Sequence, residues 1–259
     1  MNNLIQRTTE LAMHIISSYV RPGDIVIDAT CGNGHDTLRL ARMGAGMVFA
    51  FDVQPEAVAA TRALLHKEGF PVSAEAGQSI GAEAGQSASA EAEQLTGIDA
   101  PACRPRVVLA CLGHERMAEF FRGRTQSECS GAIPADADPG TPLAGPGALF
   151  TNPGTLLADP EGFASAIVFN LGYLPGGDKG RTTQADTTLE AVRASLCLLK
   201  KDGLLCITMY SGHPEGAEEK RALLAFAEGL DPKLWHVCYL SMPNQKNHPP
   251  EILLISRKK

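Results

Sequence analysis

Seven cysteines are scattered through the 259 residues without a single C-x-x-C pair, and neither His nor Cys recurs at metal-ligand spacing. A zinc site is therefore not expected, and cysteines inside apolar runs such as "ASLCLLK" and "GLLCITMY" read as buried thiols of a reducing, cytoplasmic compartment. Long uninterrupted apolar runs are missing too. The opening "MNNLIQRTTELAMHIISSYV" breaks its apolar positions with Gln, Arg, Glu and His, which predicts an amphipathic helix rather than a signal peptide or membrane span. Nor is there an excess of positive charge. A formal net charge of −6 argues against unselective polyanion binding, yet a local patch built from Lys179, Arg181, Lys246 and the terminal "RKK" could still meet a nucleic acid.

What is present is an alternation of apolar runs and helical patterns, the order of a doubly wound α/β sheet. "DIVIDAT", "GMVFAFDV", "RVVLACL", "SAIVFNL", "GLLCITMY", "HVCYLSM" and "EILLIS" predict seven strands. "RLARMG", "PEAVAATRALLHKEG", "TTLEAVRASLCLLKKDG" and "EGAEEKRALLAFAEGLD" predict helices between them. Two segments break the rhythm. AEAGQS occurs at 74–79 and again at 82–87, and a repeat of that composition buries little apolar surface. The Gly/Pro-rich stretch around "IPADADPGTPLAGPGALFTNPG" is too long for an ordinary connection. We read them as inserts, at about 73–105 and about 122–162, in a single domain spanning 1–259.

The first strand runs into "VIDATCGNGHDT", which sets Asp28 at the strand end and Gly32 and Gly34 where the chain turns into a helix. Glycines there admit a ligand to the backbone, and the helix start offers free N–H groups. A nucleoside-containing cofactor is the expectation. The dinucleotide fingerprint G-x-G-x-x-G would need a third glycine at 37, where the chain has Thr37. An acidic strand end also repels a pyrophosphate, whereas S-adenosylmethionine (SAM) carries a sulfonium and an ammonium. Asp52, ending the second strand, stands where an acidic side chain reaches ribose hydroxyls. The candidate cofactor contacts around this loop are Asp28, Gly32, Asn33, Gly34, His35, Asp36, Thr37, Asp52 and Gln54.

Two further stretches are rich in chemistry. "FNLGYLPGGDKGRTT", 169–183, takes a hydrophobic strand into an Asn, a Tyr, paired glycines and an Asp-Lys pair, a composition suited to holding a ligand. "MPNQKNHPPEILLI" joins two strands by a cluster of amides, one Lys and two prolines where a two-residue turn would suffice.

Together "DATCGNGHDT", "FNLGYLPGGDKGRTT" and "NQKNHPPEILLI" resemble the MnmM (YtqB-type) family of bacterial class I methyltransferases, also labelled rRNA methylases. The likeness runs from the N-terminal helix to Lys259 apart from the inserts, and departs in "CLGHERM", where a more polar Asp/Ser-His-Glu sequence is expected. It implies a Rossmann-like class I methyltransferase fold: a seven-stranded, mostly parallel sheet with helices on both faces. It also implies SAM-dependent methylation of the aminomethyl group of a wobble thiouridine, with the anticodon region of tRNA as partner.

On that footing Asn170 lies beside the transferable methyl group, able to accept from the incoming amine, and it joins His114 among the cofactor contacts. Tyr173 would stack on the extruded base and Asp178 would take or orient the amine proton. Gly176, Gly177, Lys179, Arg181 and Thr183 would wrap the target nucleotide, joined by Asn244, Gln245, Lys246 and Asn247 from the later loop. Each has a plainer use: Thr183 as a helix cap, Asp178 as a turn residue, Tyr173 as core packing, the amide cluster as a self-bonded loop. The competing functions are a SAM enzyme acting on rRNA or a small amine, and a noncatalytic nucleotide-binding module. Homodimer formation stays open.

Overall fold

A computed structural model of the protein describes residues 7–75, 105–121, 162–172 and 185–258. Helix α1 (Thr8–Ser17) precedes β1 (Ile25–Asp28), α2 (His35–Arg42), β2 (Met47–Asp52), α3 (Pro55–Lys67) and β3 (Val72–Glu75). After them come β4 (Arg106–Cys111), a 3₁₀ turn (His114–Arg116) continuing as the short α4 (Met117–Phe121), and β5 (Ala164–Asn170). The chain closes with α5 (Ala185–Leu198), β6 (Leu199–Met209), α6 (Pro214–Glu228), β7 (Trp235–Leu240) and β8 (Glu251–Arg257).

The strands form one sheet in the order β3-β4-β2-β1-β5-β6-β8-β7. Pairing is parallel from β3 through β6 and antiparallel where β8 meets β6 and β7. The inner strands are buried on both faces, as a parallel sheet between two helical layers requires. Alternate residues serve opposite layers: Ile25, Ile27, Phe49, Ile167 and Leu205 pack in one core, Val26, Val48, Ala166 and Leu204 in the other. The second core includes Met13 and Ile16 of α1, Leu40 of α2 and Leu65 of α3, while the first takes in Phe121 of α4, Val192 of α5 and Leu223 of α6. Among the described residues no helix is long and apolar enough to cross a membrane.

The sheet has eight strands, one more than the pattern predicts. The extra one is β3, which pairs Val72 with Val107 through to Glu75 with Ala110 and so takes in the beginning of the first supposed insert. Its four residues, Val-Ser-Ala-Glu, alternate apolar and polar over too short a run to stand out from the Ala/Glu repeat that follows, and pairing with β4 makes them a strand. A second correction concerns "CLLKKDG". The helix ends at Leu198 and the backbone is already in β6 at Leu199.

Strand order reverses at β1, whose neighbours β2 and β5 lead away in opposite directions, leaving a crevice at their carboxyl ends. On one side of it, α4 is fixed to the sheet by edge-to-face phenylalanines. Phe49 meets Phe121 at 5.0 Å between centroids, and Phe51 meets Phe120 at 5.0 Å. Phe49→Ala removes a buried ring from this cluster and should lower stability by about 3–5 kcal/mol, read as a shift of the urea-unfolding midpoint.

Candidate active site

At the end of β1 the chain stays bonded to both neighbouring strands: Ala29 N–H donates to Val168 O (2.8 Å) and Cys31 N–H to Phe51 O (2.8 Å). It then turns through Gly32 (φ 50°) and Gly34 (φ 81°), both in the left-handed region. Gly34 has a second constraint, because a Cβ there would lie 2.8 Å from the Cα of Thr61 on α3. Thr61 is itself buried, and its hydroxyl donates to Gly32 O (2.9 Å). The loop is thereby pressed onto α3.

Asp52 holds the same loop from the next strand. One carboxylate oxygen accepts from Gly32 N–H (2.9 Å), the other from Gln54 N–H (2.9 Å) at the start of α3. An ionised carboxylate has about four lone-pair sites, so half of this capacity remains for a ligand. The next residue, Val53, is 61% exposed, an uncovered apolar side chain at the same strand end.

Asp28 is used differently. It is 1% exposed, and its oxygens accept from Thr37 Oγ (2.6 Å) and Thr30 N–H (3.2 Å). Thr37 is fully buried, so this residue supports Asp28 from the first turn of α2 rather than offering a free surface to a ligand. Burial pushes the Asp28 carboxyl up to about 7, with Asp36 and Asp52 adding like-charge repulsion against the Thr37 and Thr30 hydrogen bonds. Asp28 thus feels two further carboxylates around one crevice. Asp36 is also raised, first by burial, with Arg39 and His35 as the opposing cations and Glu10 adding to the rise.

Asn170 ends β5 opposite this loop. Its N–H donates to Thr30 Oγ (2.7 Å), which ties the strand end to the glycine loop, and its Nδ2 donates to Asp36 Oδ2 (3.2 Å). Its Oδ1 is buried and, among the described residues, has no hydrogen-bond partner. Tyr210, just past β6, stands beside the Asn170 side chain and lies against Gly172, where a Cβ would stand 3.6 Å from its ring. Burial and Asp36 raise the phenol. The sequence reading did not single out Tyr210 or Val53. The signals were an aromatic ending a strand in "ITMYSG" and an apolar residue just after the ribose-side carboxylate.

His114 opens the 3₁₀ turn, buried edge-on to Phe169 at 5.6 Å, with burial holding the imidazole below its ordinary value and Nε2 without a partner. Asn33 and His35 are exposed on the loop. Asn244, Gln245, Lys246 and Asn247 lie between β7 and β8, whose first residue Glu251 pairs with Met209 at the carboxyl end of β6; the loop therefore borders the same sheet edge as Asn170. All four are exposed, and Gln245 N–H donates to Met242 O (3.1 Å) within the loop. Glu251 anchors the loop's end by accepting from Ser211 (3.1 Å), Lys220 (2.5 Å) and Tyr239. Burial pushes its carboxyl up, but these donors hold it below its usual range. Tyr173, Gly176, Gly177, Asp178, Lys179, Arg181 and Thr183 lie outside the described residues. Among the described residues no group of His, Cys, Asp and Glu could hold a metal ion.

The crevice fits SAM on its own chemistry. The left-handed glycines leave the loop backbone uncovered, Asp52 keeps acceptor capacity for hydroxyls, and Val53 offers an apolar surface for a purine. The crowd of carboxylates favours a sulfonium and an ammonium over a pyrophosphate.

Gly34→Ala should weaken SAM binding by at least about tenfold in calorimetry, because the left-handed backbone and the Thr61 contact both resist a methyl group. Asp28 makes a prediction about pH. The unfolded chain releases this proton near 3.8 and the folded one only near 7, so the native state binds more protons in between and loses stability as pH rises through that window. The slope is about 1.4 kcal/mol per pH unit. Thermal denaturation of the cofactor-free protein should show a steeper decline in wild type than in Asp28→Asn, in which Asp36, also raised, keeps its own share.

Comparison with known proteins agrees with this geometry. The family described as "Putative rRNA methylase" matches residues 156–256, and that of the ribosomal protein L11 methyltransferase (PrmA) matches residues 6–80. A chloroplastic tRNA (mnm(5)s(2)U34)-methyltransferase of Arabidopsis thaliana is 29% identical across 98% of this chain and 70% of its own length. A solved rRNA-methylase structure from Clostridium thermocellum, bearing the same qualifier, is 27% identical with TM-score 0.66 over 97% of both chains. A methyltransferase structure from Streptococcus mutans, in complex with SAH, is 26% identical with TM-score 0.62 over 97% of this chain and 98% of that one. The chain is thus a SAM-dependent methyltransferase of class I fold, similar over residues 156–256 to the rRNA methylases.

Proposed function

We propose that this enzyme methylates the aminomethyl nitrogen of a wobble 5-aminomethyl-2-thiouridine in tRNA. The observation that carries the reading is the Asn170 amide: a buried oxygen without a partner, at the end of β5 and at the mouth of the crevice. An acceptor left bare in a buried place costs about 1–3 kcal/mol, a cost that an incoming N–H donor would relieve. The Arabidopsis relative carries the same reaction in its name.

SAM, when bound, supplies a methyl group already activated on sulfur. Asp52 and the Gly32–Gly34 loop would hold its nucleoside, with Val53 against the purine; His114, beside Asp52, would border the same end. Asn170 would accept one N–H of the substrate amine and so aim the nitrogen lone pair. Positioning of this kind can be worth several kcal/mol. An alkyl amine has a reference pKa of roughly 10 and arrives mostly protonated. Asp178 is the residue we assign to receive or orient that proton, with Tyr173 bracketing the base. Lys179, Arg181 and Lys246 supply the local positive charge that a protein of net charge −6 needs to meet the anticodon backbone. We read the enzyme as cytoplasmic; the Arabidopsis relative is named chloroplastic.

The test is to incubate the purified protein with SAM and tRNA carrying aminomethyl-thiouridine, then digest and read nucleosides by mass spectrometry. The expected result is conversion to methylaminomethyl-thiouridine, faster as pH rises toward the amine's own value. An unchanged tRNA alongside methylated rRNA or a methylated small amine would move the substrate to those classes. SAM binding without methylation of any of them would leave a noncatalytic module.

A further inference from the structure

We infer that Asp36 is a positioning residue: by occupying Nδ2 of Asn170, it holds Oδ1 as the acceptor that meets the substrate's N–H. The role of Oδ1 toward an amine rests on the function proposed above; the control of the amide by Asp36 does not. A side-chain amide has nearly the same shape in its two flipped orientations, and its partners decide which one is populated. An ionised carboxylate only accepts, so it can face Nδ2 and never Oδ1. Asp36 Oδ2 stands 3.2 Å from Nδ2, on the first turn of α2. Tyr210 stands beside the same side chain, and Thr30 fixes the backbone of Asn170 at 2.7 Å. With the backbone pinned and the nitrogen engaged, Oδ1 is what the amide leaves unpartnered.

The arrangement holds while Asp36 is ionised. A protonated carboxyl can donate, and a donor beside Asn170 would make the inverted amide equally acceptable and consume Oδ1. Around Asp36 stand Arg39 and His35 on α2, Glu10 on α1, Asp28 at the end of β1, Asn170 on β5 and Tyr210 after β6. Burial dominates among them and raises the carboxyl, so acidification reaches Asp36 earlier than it would an exposed Asp.

The closing experiment reads the amide directly, in the full-length protein without tRNA. The Asn170 side-chain ¹⁵N–¹H signals, assigned by their loss in Asn170→Ala, are followed as pH is lowered. We expect them to shift with a single titration in wild type and to stay put in Asp36→Asn. Signals that do not move in wild type, or that titrate unchanged in Asp36→Asn, overturn the inference whatever the enzyme methylates. On aminomethyl-thiouridine tRNA with saturating SAM, Asp36→Asn should lower the single-turnover rate on the order of 10–100-fold. It should also remove the extra acid loss of rate while keeping the rise that belongs to the substrate amine. A variant matching wild type in rate and pH profile overturns it as well. If wild type itself leaves that tRNA unmethylated, the substrate reading fails, and the amide signals still decide the role of Asp36.

Discussion

The hydrogen bond between the buried carboxylate of Asp28 and the hydroxyl of Thr37 is the contact on which the carboxyl edge of the sheet depends. It joins the end of β1 to the first turn of α2 across the glycine loop, and so sets where the helix starts relative to the strand. With that span fixed, Thr30 is placed to accept from Asn170, Gly32 to donate to Asp52, and Asp36 to reach Asn170. Two of those bonds lead to Asn170 on β5 and one to Asp52 on β2. Strand β1 therefore acts as the reference for both halves of the site, because β2 and β5 flank it and carry Asp52 and Asn170 at their ends.

Such an arrangement stores electrostatic strain. Burial raises the cost of ionising Asp28 and Asp36, and for Asp28 the neighbouring Asp36 and Asp52 add to it. A protein selected for stability alone would not gather three carboxylates at one crevice, since unrelieved like charges in a dry place oppose folding. A cationic ligand relieves them. The strain is thus the counterpart of affinity for a sulfonium and an ammonium, and the site is most stable when occupied.

Much of this was legible in the chain before folding. Glycines spaced after an apolar run mark a loop that must turn left-handed, and the two acidic strand ends could be located because strands are buried and their limits are abrupt. Asn170 was visible for the same reason. Thr37 was legible as a missing glycine and as a candidate cofactor contact; its use as a buried partner of Asp28 depends on a helical turn bringing residue 37 back over residue 28, which spacing does not announce. Strand β3 was hidden because four alternating residues run straight into an Ala/Glu repeat of similar composition, and its existence is decided by β4. Tyr210 was hidden by distance along the chain: it reaches Asn170 because Thr208 pairs with Asn170 across β5 and β6. Contacts made by register are invisible until the strand order is known.

Register also explains why the polar ends of so many strands share one purpose. Parallel strands bring their carboxyl ends to one edge, so Asp28, Asp52 and Asn170 meet without being near in sequence. The antiparallel β8 adds the opposite kind of end: its first residue, Glu251, lies beside Met209 and anchors the amide-rich loop through Lys220, Tyr239 and Ser211. Reversing the last strand pair therefore brings 244–250 to the edge that the parallel strands already define. A purely parallel continuation would have sent that connection across a face of the sheet, as a crossover. The antiparallel hairpin thus places exposed amides and Lys246 beside the crevice, where a bulky polyanionic substrate could rest while a single amine enters toward Asn170.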